Sequence, residues 1–149
     1  LLLEIIGVEM SEYKVGEIAE IVGVNVETIR YYEKIKLMPE PKRKEFSRYR
    51  IYDKNDLARL TFIKRAKELG FTLKEIKELL DLRIESTATC GDVKHLAEHK
   101  LTDIEQRIKD LKNIKNVLTK LINQCIREEV STEECPILEV IETNRKVKK

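Results

Sequence analysis

At 149 residues with a net charge of only +2, the chain could make one ordinary domain, but 38% charged residues against 5% aromatic and no tryptophan exclude a large aromatic-rich core. Such a composition suits a helix-rich protein with a long solvated surface. The small net charge conceals a polarity: residues 36–50 carry six basic side chains (Lys36, Lys42, Arg43, Lys44, Arg48, Arg50) against two acidic ones, whereas residues 81–143 carry nine basic against thirteen acidic, so the front offers itself to nucleic acid and the rear does not.

The apolar opening Leu1 to Met10 has neither a basic leader nor a small-residue cleavage site and is far shorter than a membrane span. It reads as an N-terminal extension over 1–12 of a cytoplasmic chain with no membrane partner, and Met10 is a candidate native start. From Val15 to Glu33, apolar residues recur at Ile18, Val22, Val24, Ile29 and Tyr32, with Ala19 where two helices need a close approach and Gly23 at the turn between them. The spacing predicts a helix-turn-helix, with helices near 16–22 and 26–34 and Asn25 capping the second.

Pro39 and Pro41 forbid helix, and EFSRYRIY (45–52) alternates aromatic and basic residues, which predicts a two-stranded wing over 37–52. Cations interleaved with Phe46, Tyr49 and Tyr52 beside a recognition helix suit a grip on phosphates better than a merely solvated hairpin. Asp53 or Asn55 caps a helix running through Leu57, Leu60, Ile63 and Leu69, which Gly70 ends in the left-handed conformation. Thr72 with Glu75 then forms a capping box for a helix that buries Leu73, Ile76, Leu79 and Leu80.

ESTATCG (85–91) breaks the pattern within a linker over 83–91 and leaves Cys90 at the mouth of a long helix, a dimerisation helix over 92–127. Positions 97, 101, 104, 108, 111, 115, 118, 122 and 125 advance by fours and threes as Ala, Leu, Ile, Ile, Leu, Lys, Leu, Ile, Cys. This is a heptad seam with one polar interruption at Lys115, and such seams ask for a partner helix. A polar loop and a short apolar helical turn (Ile137 to Ile141) occupy 128–143, followed by a basic tail over 144–149. The fold class expected is therefore mostly α: a helix-turn-helix domain over 13–82 and a long dimerising C-terminal helix.

Three cysteines, Cys90, Cys125 and Cys135, are an odd number for a disulfide framework, and a reducing cytosol keeps them as thiols. Cys90 and Cys125 lie 35 residues apart on what reads as one helix, roughly 50 Å at about 1.5 Å per residue, so they cannot hold one ion within a chain. Antiparallel pairing of two such helices would bring Cys90 of one subunit beside Cys125 and Cys135 of the partner subunit, twice over. Three thiolates define a soft site, and a helix N-terminus favours the anion at Cys90. Buried cysteines acting as small hydrophobes are the plain alternative. His95 and His99 share a helix face at a spacing able to hold a metal, although such a pair is more often only a polar face. With no Gly-rich phosphate loop, nucleophile elbow or carboxylate pair in an apolar pocket, an enzyme is not expected.

VGEIAEIVGVNVETIRYYE, the wing ending YRIYD, and FIKRAKELGFTLKEIKELL together resemble the MerR family of transcriptional regulators from Tyr13 to Leu82. The remainder, with Cys90, HLAEHKLTDIEQRIKDL, Cys125 and ECPIL, is similar to that family's mercury-responsive branch. The resemblance implies a winged helix-turn-helix domain with two supporting helices and a long antiparallel coiled coil that forms a homodimer. It also implies a regulator that holds a promoter silent and, on binding Hg(II), bends and untwists it for RNA polymerase. It assigns Cys90, Cys125 and Cys135 as the metal ligands, one ion per site and two sites per dimer, and places Thr28, Arg30 and Tyr31 on the recognition helix, Tyr49 and Arg50 on the wing, and Lys64 behind it as DNA contacts. Two departures stand out: Cys125 and Cys135 are ten apart, one more than in the mercury branch, and Arg48 replaces a frequent wing glycine. Other soft or borderline ions, Cd(II), Pb(II), As(III) or Zn(II), and a thiol redox sensor remain the alternatives.

Overall fold

A computed structural model describes residues 12–44 and 48–143 of the chain. The expectations for the N-terminal extension up to residue 11, for Phe46 of the wing and for the basic tail over 144–149 lie outside the described residues. Among the described residues the elements follow one another as β1 (Tyr13–Lys14), α1 (Val15–Val22), α2 (Val26–Lys34), β2 (Lys42–Arg43), β3 (Arg50–Tyr52), α3 (Lys54–Glu68), α4 (Leu73–Ile84), α5 (Cys90–Gln124), a 3-10 turn (Thr132–Glu134) and α6 (Pro136–Thr143). Two compact units result, with the boundary between Leu96 and Ala97 inside α5.

In the first unit the expected helical pair is present, and the turn between α1 and α2 is made by Gly23 at φ 78°, whose amide donates to the Ala19 carbonyl at 2.8 Å. Ile18, Ala19 and Val22 of α1, Ile29 and Tyr32 of α2, Leu60, Ile63 and Ala66 of α3, and Ile76 and Leu80 of α4 close into one core. Local chemistry sets the helix ends. Asp53 Oδ1 accepts from the Asp56 amide while Asp56 Oδ2 accepts from the Asp53 amide, both at 2.9 Å. Thr72 and Glu75 do the same for α4, and Gly70 takes φ 90° after α3, each supplying partners to amides or carbonyls that a helix leaves open.

Several expectations need correction. Asn25 occupies the N-cap of α2, but its side chain makes no capping bond; its carbonyl alone accepts from Thr28 and Ile29. The wing does not begin at residue 37. Lys36 turns left-handed at φ 61°, the Leu37 and Met38 amides both donate to the Tyr32 carbonyl at 2.8 and 3.0 Å, and these two apolar side chains fold into the core at 1% exposure. Burial of two large side chains outweighs strand pairing here. The wing strands β2 and β3 gain a third neighbour in β1, giving the antiparallel order β1-β3-β2 with Tyr13 opposite Tyr52, Lys42 opposite Ile51 and Arg43 opposite Arg50. Leu69 lies just past α3 and is exposed.

In the second unit α5 runs on from Ala97 and stops at Gln124, before the expected Arg127. The Cys125 amide reaches only to Ile122 and the Ile126 amide to Gln124, and Ile126 is 88% exposed, so no burial sustains another turn. Of the seam positions, Leu101, Ile108, Leu111, Leu118 and Ile122 are exposed in the single chain, and Ile114 and Val117 widen the stripe around Lys115. Among the described residues no helix is long and apolar enough to cross a membrane.

The Gly23 turn is a sharp test of the first unit, because a Cβ there would stand 2.8 Å from Lys64 Nζ in a backbone conformation that L side chains rarely adopt. Gly23→Ala is expected to destabilise the protein by about 1–2 kcal/mol, measured by urea unfolding followed by circular dichroism.

Candidate nucleic-acid interface and metal centre

Because α2 buries Ile29 and Tyr32, the helical period turns Arg30 and Tyr31 outward, with Thr28 half-buried at its first turn. Arg30 Nη1 pairs with Glu27 Oε1 at 2.9 Å on the same exposed face, and the Tyr31 ring, half exposed, lies 6.2 Å from that of Tyr32. On the wing, which reaches this helix through the bonds of Arg50 and Tyr52 to Glu33, Tyr49 is 70% exposed, and Lys42, Arg43, Lys44 and Arg48 all reach solvent. Cations and an exposed aromatic ring on adjoining elements make a surface fit for phosphates and base edges.

Two of the residues singled out from sequence also hold the domain together. Lys64 Nζ donates to the Val22 carbonyl at 2.7 Å and stands 3.9 Å from Glu68, so it clamps α3 to the end of α1. Arg50 Nη1 donates to Glu33 Oε2 at 3.1 Å. Glu33 itself was not foreseen: its side chain is only 9% exposed, and its other oxygen accepts from the Tyr52 hydroxyl. Lys42 and Arg43 lay within the expected wing without being singled out as contacts, and pairing with β3 sets them opposite Ile51 and Arg50. Burial, and then the bond to Glu33, push the Tyr52 phenol well above its ordinary value.

Cys90 is the first residue of α5 and is exposed. The turn before it is fixed by Thr89 and Asp92: the Thr89 amide donates to Asp92 Oδ2 at 2.7 Å, its hydroxyl donates to the same oxygen at 3.1 Å, and the Asp92 amide donates to Thr89 Oγ1 at 3.4 Å. These bonds hold the Asp92 carboxyl below the usual carboxylate range. Cys125 directly follows α5. Cys135 ends the 3-10 turn, and its carbonyl accepts the Glu139 amide at 3.1 Å to open α6. Both are half-buried, and all three sulfurs are free thiols. Among the described residues of one chain, no three Cys, His, Asp or Glu side chains gather around a point. His95 lines a cleft with Glu78, Asp81, Glu85 and Asp92, and His99 is exposed. Thiolate sulfur is a soft donor suited to a thiophilic ion, whereas the 3-10 turn before Cys135 also carries the harder carboxylates Glu133 and Glu134.

The chain is similar to known proteins. Residues 13–82 match the family of MerR HTH regulatory proteins, and residues 57–121 match the MerR DNA-binding family. A mercuric resistance operon regulatory protein of Bacillus cereus is 45% identical over 130 residues, covering 87% of this chain and 97% of the relative. The crystal structure of a transcription regulator from Ralstonia metallidurans in complex with lead(II) is similar with a TM-score of 0.74 and 33% identity, covering 87% of this chain and 98% of that one. The dual-function regulator MerR from Bacillus megaterium in complex with mercury(II) gives 0.66 and 39%, with 87% and 99% covered.

The raised Tyr52 phenol makes the stability of the domain depend on pH. A folded-state value above the unfolded one, near 10, contributes stability that is complete below about pH 10 and is lost as pH rises beyond it. Urea unfolding from about pH 8 upward should therefore show native stability falling through the alkaline range more steeply than in Tyr52→Phe; parallel pH profiles would contradict it.

Proposed function

The chain belongs to the MerR family of helix-turn-helix regulators, and from that membership we propose that it is a homodimeric, Hg(II)-responsive regulator of transcription acting at a mercury-resistance promoter. The observation that carries the reading is the distribution of free thiols: one at the first residue of a 35-residue helix, and two in the turn region that follows its last. The exposed stripe of Leu101, Ile108, Leu111, Leu118 and Ile122 supports pairing with a second copy, since a row of this length is costly to leave in water. Antiparallel pairing joins Cys90 of one subunit to Cys125 and Cys135 of the partner subunit, giving two sites per dimer with one ion at each.

When bound, a thiophilic ion supplies a bond network joining three deprotonated sulfurs. Everything else is done by the chain. Thr28, Arg30 and Tyr31 on α2 meet the major groove, where base identity is read; Tyr49, Arg50 and Lys64 contact mainly the backbone. Cys90 lies directly after the segment that follows α4, so a change in its position is transmitted to the helices supporting the reading head. The dimer thereby holds a promoter silent and, in its metal-bound state, bends and untwists it so that RNA polymerase can start. The setting is cytoplasmic and the role is regulatory.

The likeness to the lead(II)-bound regulator favours one second reading, in which the same three sulfurs answer to another soft ion. Competition followed by ultraviolet ligand-to-metal absorbance separates the two: Hg(II) should displace Pb(II), Cd(II) and Zn(II), and displacement of Hg(II) by nanomolar Zn(II) would defeat the mercury reading. Cys90→Ser, Cys125→Ser and Cys135→Ser should each abolish metal-induced transcription while leaving promoter binding intact. A mixed dimer of Cys90→Ser with the Cys125→Ser, Cys135→Ser double variant should regain one of the two sites, and a protein that stays monomeric in solution would end the case.

A further inference from the structure

An acidic residue on a helix that faces DNA needs a reason, because a carboxylate repels phosphate. Glu33 is near the C-terminal end of α2, three residues after Arg30, and both of its oxygens are engaged by β3: Oε2 by Arg50 Nη1 at 3.1 Å and Oε1 by the Tyr52 hydroxyl. Its side chain is 9% exposed, that of Arg50 34%. Tyr52 is itself 1% exposed and pairs with Tyr13 in the sheet, so one anchor of the carboxylate cannot move without disturbing the core. The Arg50 side is the one that reaches solvent.

The sheet register adds a second observation. Arg43 stands directly opposite Arg50, which places two cations on one face of a two-stranded ladder, an arrangement that repels itself. With no counter-charge, Arg50 would swing away from Arg43 and sample many rotamers. We infer that Glu33 is a positioning residue for DNA binding: its buried carboxylate, pinned by Tyr52, neutralises and aims Arg50, so that the guanidinium's remaining N–H groups are ordered for a backbone phosphate before DNA arrives. This rests on the DNA-binding reading and deepens it. A guanidinium has five N–H donors in a rigid fork, so a bond from Nη1 leaves others for a phosphate. Ordering it during folding removes that cost from binding. The same bonds tie the recognition helix to the wing, so base-reading and phosphate-gripping elements move as one body.

The test uses the full-length protein and a duplex selected from a random library by the wild type. Glu33→Gln is expected to weaken binding by about tenfold and to reduce the slope of log affinity against log salt by about 0.9, the loss of one phosphate contact. In an Arg50→Gln background the Glu33 change should add nothing, and Glu33→Asp should restore part of the affinity. An unaltered salt slope, or a loss of equal size in the Arg50→Gln background, overturns the inference, because a residue that merely stabilises the fold would act independently of Arg50. If Glu33→Gln fails to fold, Tyr52→Phe takes its place: a loss of affinity that vanishes in the Arg50→Gln background supports the inference, and no loss, or one that persists there, overturns it. A wild type that selects no duplex defeats the DNA-binding reading itself, whereas a wild type that binds while Glu33→Gln matches it defeats only this assignment.

Discussion

A lone helix has nothing to pack its apolar face against, and this constraint governs the second half of the molecule. Leu101, Ile108, Leu111, Ile114, Leu118 and Ile122 are each about half exposed or more along α5. Covering the exposed part of one such side chain is worth roughly 1 kcal/mol or more. Six from each of two chains therefore offer on the order of 10 kcal/mol, enough to outweigh much of the cost of association and comparable with the whole stability of a small domain. Under the proposed reading, the second copy that answers this stripe also completes the thiol sites, so oligomerisation and metal response share one cause.

The reading head is built on a different principle. Its core of aliphatic side chains and three buried tyrosines is small, and charged side chains fasten its outer elements from behind. Lys64 reaches the Val22 carbonyl, Arg59 Nε reaches the Leu37 carbonyl at 2.7 Å, and Glu33 takes Arg50 and Tyr52. Each bond joins a charged group to a partner shielded from water, where such interactions are stronger than on an open surface. The turn, the segment after α2 and the wing are each held by one of them. A domain of this size can thus present several cations on one face without loosening.

The thiol-bearing segments are of the opposite kind. Between Gln124 and Pro136 the chain has only a three-residue 3-10 turn, and the second unit buries only Lys100 and Leu121 among its described residues. Few buried contacts mean a low local cost of rearrangement. Cys125 and Cys135 thus sit where sulfur positions can adjust, while Cys90 sits on a turn fixed by the reciprocal Thr89 and Asp92 bonds. One firm donor and two adaptable ones suit a site assembled from two subunits.

Features carried by neighbours three or four residues apart were legible in the amino-acid sequence: the helix start at Asp53 or Asn55, the Thr72 helix start, the Gly23 and Gly70 turns, the heptad stripe and the three cysteines. Such signals need only local backbone geometry. Residues separated by longer stretches of chain were not legible. Nothing in YYEK marks Glu33 as buried, since its partners lie 17 and 19 residues on; nothing in Lys64 announces a carbonyl 42 residues earlier. Strand β1 is two residues long and exists only because β3 offers it a partner. Leu37 and Met38 looked like wing residues until the left-handed Lys36 turned them into the core. Local sequence determined which helices form and where the capped ones begin, because capping and periodicity are short-range. Tertiary structure alone decided which charges are enclosed, because enclosure depends on what the rest of the chain packs around them.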